Sequence, residues 1–168
     1  RINANINDGK VIVIYGARQT GKTTLLESTL SSLSGRKLTL NGDDPGTREI
    51  LDNVSLARLR NIIADNKIVS IDEAQRINNI GIVLKLIVDN FSDIILIATG
   101  SSSFDLSNKI NEPLTGRKYV LNLYPFSFEE MVKHTNLIEE MNNLPKRLIY
   151  GSYPEIVTKP GKEVELIQ

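Results

Sequence analysis

Apolar residues follow two rhythms along this chain. Val11–Tyr15, Leu38–Asn41, Lys67–Ile71 and Asp93–Thr99 are short, β-branched and almost continuously apolar, as strands buried on both faces of a parallel sheet must be. Helical spacing fills the intervals. It predicts helices over Lys22–Leu33 with Gly35 as the stop, over Asp44–Asp52, and over Ser55–Asn66, where Leu56, Leu59, Ile62 and Ile63 share one face beneath a Ser55 cap. Ile82, Leu84, Leu86, Ile87 and Val88 suit a further helix ending near Asn90, and Tyr119–Leu123 a fifth strand. Beyond Pro125 the pattern turns helical, with Ser127 capping a run through Glu129, Glu130 and Met131, and Leu144–Tyr150 forming another helix. The expectation is an α/β fold: a five-stranded, mainly parallel sheet flanked by helices, with a core over residues 1–124 and a helical extension over 125–168.

Between the first strand and the first helix lies G-A-R-Q-T-G-K-T, Gly16 to Thr23, which meets G-x-x-x-x-G-K-[ST] at every fixed position. By average residue frequencies such a string arises by chance in about one chain in two hundred of this length. The strand before it aims the loop, and the helix after it supplies a positive N-terminal dipole, so a P-loop NTPase is predicted. Gly16 and Gly21 permit close approach of the backbone, so that amides of Gly16, Ala17, Arg18, Gln19, Thr20, Gly21, Lys22, Thr23 and Thr24 converge on a polyphosphate. Lys22 is expected to neutralise the β- and γ-phosphates and Thr23 to ligate Mg²⁺. Arg18 and Gln19 fill variable positions and read as exposed polar residues.

The third strand runs into two carboxylates, I-V-S-I-D-E from Ile68 to Glu73, a Walker B pattern. Ligands of open α/β sheets bind beyond the carboxyl ends of the strands, where the phosphate loop also lies. Asp72 is therefore expected to hold Mg²⁺, directly or through its water, and Glu73 to act as general base on the attacking water. Taken alone, the pair reads equally well as a helix cap and an exposed first-turn carboxylate. The fourth strand ends in A-T-G-S-S-S, Ala98 to Ser103, where Thr99 or Ser101 suits a γ-phosphate sensor and Ser103 a cap.

Charge and composition narrow the field. Twenty Lys and Arg balance twenty Asp and Glu, so no global basic excess advertises nucleic acid or an anionic membrane. The absence of cysteine removes disulfides, iron–sulfur clusters and cysteine nucleophiles, and agrees with a cytoplasmic location. No apolar stretch approaches the roughly 20 residues that span a bilayer. The chain opens on Arg1 and ends without a stop signal, as a piece of a longer protein would. His134, the sole histidine, follows a mixed polar run and reads as a surface residue.

With both Walker elements and I-A-T-G-S-S-S in place, the chain resembles the prokaryotic AAA-type ATPases that carry a Walker domain followed by a C-terminal domain of uncertain function. L-T-G-R-K at Leu114–Lys118, L-Y-P-F-S-F-E-E at Leu123–Glu130 and Y-G-S-Y-P-E at Tyr150–Glu155 look like that family's downstream signatures in order. The resemblance implies an ASCE-type sheet, in which the acidic strand is not the neighbour of the first strand. It implies ATP and ADP as ligands, a homo-oligomer, and a DNA or protein partner engaged through the C-terminal domain, which is absent here. By the same resemblance Arg117 looks like an arginine finger or sensor acting in cis or from a neighbouring subunit, although it reads equally as a solvated residue before a strand. Pro154 resembles an element that packs on adenine, and Asn41 sits where many relatives place a polar residue that restrains the catalytic carboxylate.

Other P-loop classes fit less well. Asn108–Asn111 lacks the carboxylate that guanine recognition requires, and Gln75 replaces the glycine of D-x-x-G. L-S-G-R at Leu33–Arg36 is a helix end rather than a transporter signature. D-E-A-Q at Asp72–Gln75 would suit a helicase only with a second RecA-like domain, and a small-molecule kinase has no use for Glu73. Two readings follow: an ATPase whose hydrolysis drives a conformational change in an attached domain or partner, and a nucleotide-gated switch with little turnover.

Overall fold

The computed structural model describes residues 6, 8–101 and 103–167, apart from the side chains of residues 103–105, 108 and 167. These residues form two compact units. One contains residues up to Gly16 together with Lys22–Asn122; the other joins Ala17–Gly21 to the residues from Leu123 onward.

The first unit follows the expected alternation. In chain order its elements are β1 (Val11–Gly16), α1 (Lys22–Ser32), β2 (Lys37–Asn41), α2 (Pro45–Leu51), α3 (Leu56–Ile63), β3 (Ile68–Asp72), a 3₁₀ turn (Ala74–Arg76), α4 (Ile80–Asn90), β4 (Ile95–Gly100), α5 (Ser103–Ile110) and β5 (Lys118–Leu123). The strands are ordered β2-β3-β4-β1-β5, and the β2/β3, β3/β4 and β1/β4 ladders are parallel. β4 is thus inserted between β1 and the acidic strand β3, as the family resemblance implies. The central strands are buried almost throughout, whereas β2, at the sheet's edge, alternates between exposed and half-buried positions.

Local chemistry explains the helix starts. Asp44 accepts from the amides of Gly46 and Thr47 ahead of Pro45, and Ser55 accepts from Arg58 N. The Ser103 side chain, expected as a cap, lies outside what the structure describes. One apolar core gathers Val11, Val13, Leu59, Ile63, Val69, Ile71, Leu84 and Ile87 with their neighbours. Gly81 lets α4 approach α5 closely, because a Cβ there would lie 2.1 Å from the Lys109 carbonyl oxygen.

Parallel register brings the carboxyl ends of the strands to one edge. Asn41 pairs with Asp72, Ile71 with Ala98, and Tyr15 with Gly100, so Gly16 at the end of β1, the acidic pair after β3 and the hydroxyls at the end of β4 share that edge.

The second unit is helical: α6 (Phe128–His134), α7 (Leu137–Tyr150), α8 (Pro154–Thr158) and α9 (Glu163–Ile167). Ser127 and Glu130 close a capping box on α6. The expectation for α7 needs correction, since the helix begins at Leu137 rather than Leu144. Pro145 suits a first helical turn and so suggests a start beside it. Instead Asn136 caps the helix at Glu139 N, and Pro145 sits inside it on an exposed face, where water can serve the carbonyl that loses its amide partner. Glu140, fully buried, accepts two bonds from Arg147, each 3.1 Å long, and one from the Thr135 hydroxyl.

Candidate nucleotide site

Asp72 is the hub of the carboxyl edge. It is 7% exposed, and each of its oxygens has a distinct partner. Oδ2 accepts from the Thr23 hydroxyl at 2.9 Å. Oδ1 accepts from the Glu73 amide at 3.0 Å and from the Thr99 hydroxyl. Thr99 is fully buried and its oxygen also accepts from the Glu73 amide at 3.3 Å. These bonds join β3, β4 and the first turn of α1 into one polar cluster. Of the two hydroxyls at the end of β4, Thr99 is buried and bonded to Asp72, while Ser101 is half-buried and accepts from Gln75. Asp72 is no helix cap, and the 3₁₀ turn after it has no side-chain cap at all.

Glu73 occupies left-handed backbone space at φ 48°, which a glutamate adopts only where its surroundings hold it there. Gly42, just after β2, supplies part of that restraint. Its amide donates to the Asp72 carbonyl at 2.8 Å, and a Cβ on it would come within 2.3 Å of the Glu73 carbonyl oxygen. The Glu73 side chain is tied by Gln75, whose Nε2 donates to Glu73 Oε2 at 2.5 Å and to Ser101 Oγ at 2.8 Å. Lys109 Nζ, from α5, donates to the carbonyls of Gln75 and Ile77 at 2.7 and 3.1 Å and so fixes the turn.

The phosphate-loop residues take the conformations that the motif requires. Gln19 and Gly21 have φ of 64° and 88°, and the buried Thr20 hydroxyl donates to the Ala17 carbonyl at 2.8 Å. Alternating backbone signs of this kind turn successive amides toward one concavity. Lys22 is 5% exposed, while Ala17, Arg18, Gln19, Thr23 and Thr24 are open to solvent. Pro154, at the first position of α8, lies in the same unit as the loop, its Cγ 3.8 Å from where a Cβ on Gly21 would stand.

The oxygens of Thr23 and Asp72 suit a magnesium ion. Both are hard donors, and their 2.9 Å separation matches the spacing of about 2.9 Å between adjacent ligands of an octahedral ion bound at about 2.05 Å. Among the described residues no group of three or more His, Cys, Asp or Glu could hold a metal. Magnesium tolerates so sparse a protein shell because it keeps water and takes phosphate oxygens.

Two expectations change. Arg117 does not reach this edge: its carbonyl accepts from the Val11 amide at 3.0 Å, at the start of β1, about 17 Å along the strand from Gly16. Its guanidinium pairs with Asp89 at 2.6 Å. Arg117 therefore lies at the opposite end of β1 from Gly16. Asn41 accepts from the Asp43 amide at 2.9 Å, within its own turn, and it is Gln75 that holds the Glu73 carboxylate. Nothing in the sequence marks Gln75 for that task, because residues two apart meet only when the intervening backbone is bent as Glu73 bends it. Gly42 and Lys109 were equally illegible, since both act on main-chain atoms distant in sequence.

The family model of the AAA domain matches residues 8–132. The chain belongs to that family. Over 92% of its length, this AAA domain is 28% identical to the uncharacterized protein MJ1544 of Methanocaldococcus jannaschii, and over 73% it is 32% identical to the uncharacterized protein Rv2008c of Mycobacterium tuberculosis. It spans only 38% and 27% of those two relatives. Among solved structures, the AAA domain shares its fold with the Walker-type ATPase PABY2304 of Pyrococcus abyssi, at a TM-score of 0.61 and 14% identity over 94% of this chain and 63% of that one. A DNA replication initiation factor aligns at a TM-score of 0.53 and 16% identity, covering 89% of this chain and 59% of the other. Nucleotide binding is the property this P-loop family suggests. No helix among the described residues is long and apolar enough to cross a membrane.

Proposed function

We propose that this AAA domain binds Mg·ATP through residues 16–24 and Asp72 and hydrolyses it with Glu73 as general base. The observation that carries the reading is the Asp72 cluster, in which one carboxylate bonds Thr23 of the phosphate loop through one oxygen and, through the other, the amide of Glu73. The base is thereby fixed to the element that holds the phosphates. In the reaction a water oxygen bonds to the γ-phosphorus and the bond from phosphorus to the β,γ-bridging oxygen breaks. That oxygen keeps the electron pair as ADP leaves, and the water's proton passes to Glu73 Oε1. Lys22 offsets charge on the β- and γ-phosphates. Magnesium, when bound, withdraws charge from the phosphoryl oxygens. Ser101, with its oxygen accepting from Gln75, keeps its own proton for the γ-phosphate. Pro154, packed against the loop at Gly21, is assigned to the adenine side.

Hydrolysis is assigned to driving a conformational change in an attached domain or partner, a reading supported by the greater length of the relatives. A DNA or protein partner is assigned to segments beyond these residues, since the chain's charges balance. The test is Glu73→Gln with Mg·ATP: binding is expected to persist while steady-state turnover disappears. Turnover at the wild-type rate would remove Glu73 as the base, and a wild-type protein that binds ATP without turnover would make the domain a nucleotide-gated switch.

A further inference from the structure

Gln75 follows the acidic pair by two residues, in the 3₁₀ turn, and its side chain donates to the Glu73 carboxylate. A carboxylate only accepts, so the amide must present Nε2 to Glu73, and the Ser101 hydroxyl then accepts the second Nε2 proton. This orientation strands Gln75 Oε1, which is buried with no hydrogen-bond partner. Such a group opposes folding, and turning the side chain outward would relieve it. Three features keep it inward. Lys109 grips the Gln75 carbonyl, Ser101 anchors Nε2, and Gly100 leaves room, because a Cβ there would lie 2.9 Å from Oε1. An arrangement that stability alone disfavours, built around one carboxylate oxygen, points to what that carboxylate does.

We propose that Gln75 is the positioning residue for Glu73: it fixes Oε2 and leaves Oε1 to face the attacking water, and it takes its own place from Ser101. The inference rests on Glu73 being the base. It makes Ser101 part of a relay from the end of β4 to that base, so that loss of Ser101 acts through Gln75 as well as through the γ-phosphate.

The experiment measures Mg·ATP turnover and ATP affinity in this chain for Gln75→Leu, Ser101→Ala, the double variant and Glu73→Gln. Gln75→Met, close to glutamine in length, replaces Gln75→Leu if leucine prevents folding. The expected result is a kcat lowered roughly 10- to 100-fold in Gln75→Leu, with KM and ATP affinity within about twofold of wild type. Ser101→Ala should also lower kcat, and the loss in the double variant should fall short of the product of the two single losses, because both substitutions break one linkage. Wild-type kcat in Gln75→Leu, a parallel loss of ATP affinity, or effects that multiply in the double variant would overturn the proposal. An inactive Glu73→Gln beside an unimpaired Gln75→Leu would remove the positioning role and spare the base. An active Glu73→Gln, or a wild type without turnover, would remove both.

Discussion

A single carboxylate organises the candidate site. Asp72 is buried yet fully partnered, and its bonds to Thr23, Thr99 and the Glu73 amide offset the cost of taking it from water. Because those partners come from three elements, small changes in the backbone should propagate directly to Glu73. Gly42 offers the cleanest case: in Gly42→Ala the new methyl group meets the Glu73 carbonyl, a main-chain atom that cannot swing aside. The variant should lose about 1–3 kcal/mol of stability. It should also lose roughly 10- to 100-fold in kcat, since a displacement of about an ångström suffices for that. Thermal unfolding and steady-state kinetics check both, and unchanged kinetics would show that Glu73 does not depend on its backbone setting. At this scale the sequence revealed the chemistry but not its supports. Lys22, Thr23, Asp72 and Glu73 are legible because their types and spacing are dictated by phosphate and magnesium. Gly42, Gln75 and Lys109 are not, because each is chosen by the shape of a folded turn.

Elements were legible where packing repeats and less so where capping decides. Continuous apolar runs identified the central strands to within two residues, since burial on both faces leaves little choice of side chain. The order in which the strands pair is not written in their periodicity and came only with the family resemblance. α7 shows the opposite case, a helix whose first two turns are set by the Asn136 cap and by Glu140, a charged residue that hydropathy places outside. The Arg147 guanidinium, with Thr135 and Asn143 adding bonds, holds the Glu140 carboxyl below the ordinary glutamate value despite burial. A depressed folded value means that this contribution to stability is fully present above the unfolded-state value near 4.3 and disappears as pH falls through the folded one. The helical unit should therefore lose stability in acid. Glu140→Gln should be less stable than wild type at pH 7 and should show a weaker decline toward acid in pH-dependent unfolding. Equal stability at neutral pH would mean that the buried pair contributes nothing net.

For the molecule as a whole, the two ends of β1 carry different assignments. The carboxyl end leads to the nucleotide site, and the amino end lies beside Arg117, with Asp89 as that residue's partner. Arg117 lies a strand's length from Gly16, a placement that favours a contribution to the site of a second copy of the chain over one in cis. Mixing Arg117→Ala with Glu73→Gln tests this. Each is expected to be inactive alone, and the mixture should regain a fraction of wild-type turnover at sites that combine the intact Glu73 of one subunit with the intact Arg117 of its neighbour. If Arg117→Ala keeps full activity by itself, the residue is simply the ion-pair partner of Asp89. All these assignments depend on the loop and the acidic strand sharing one Mg·nucleotide. The most direct measurement is calorimetric titration of Mg·ATP into wild type and Lys22→Ala: wild type should bind, and Lys22→Ala should bind roughly 100-fold more weakly, as loss of a charge-assisted phosphate contact dictates. Equal affinities in the two proteins, or no binding by the wild type, would contradict the account.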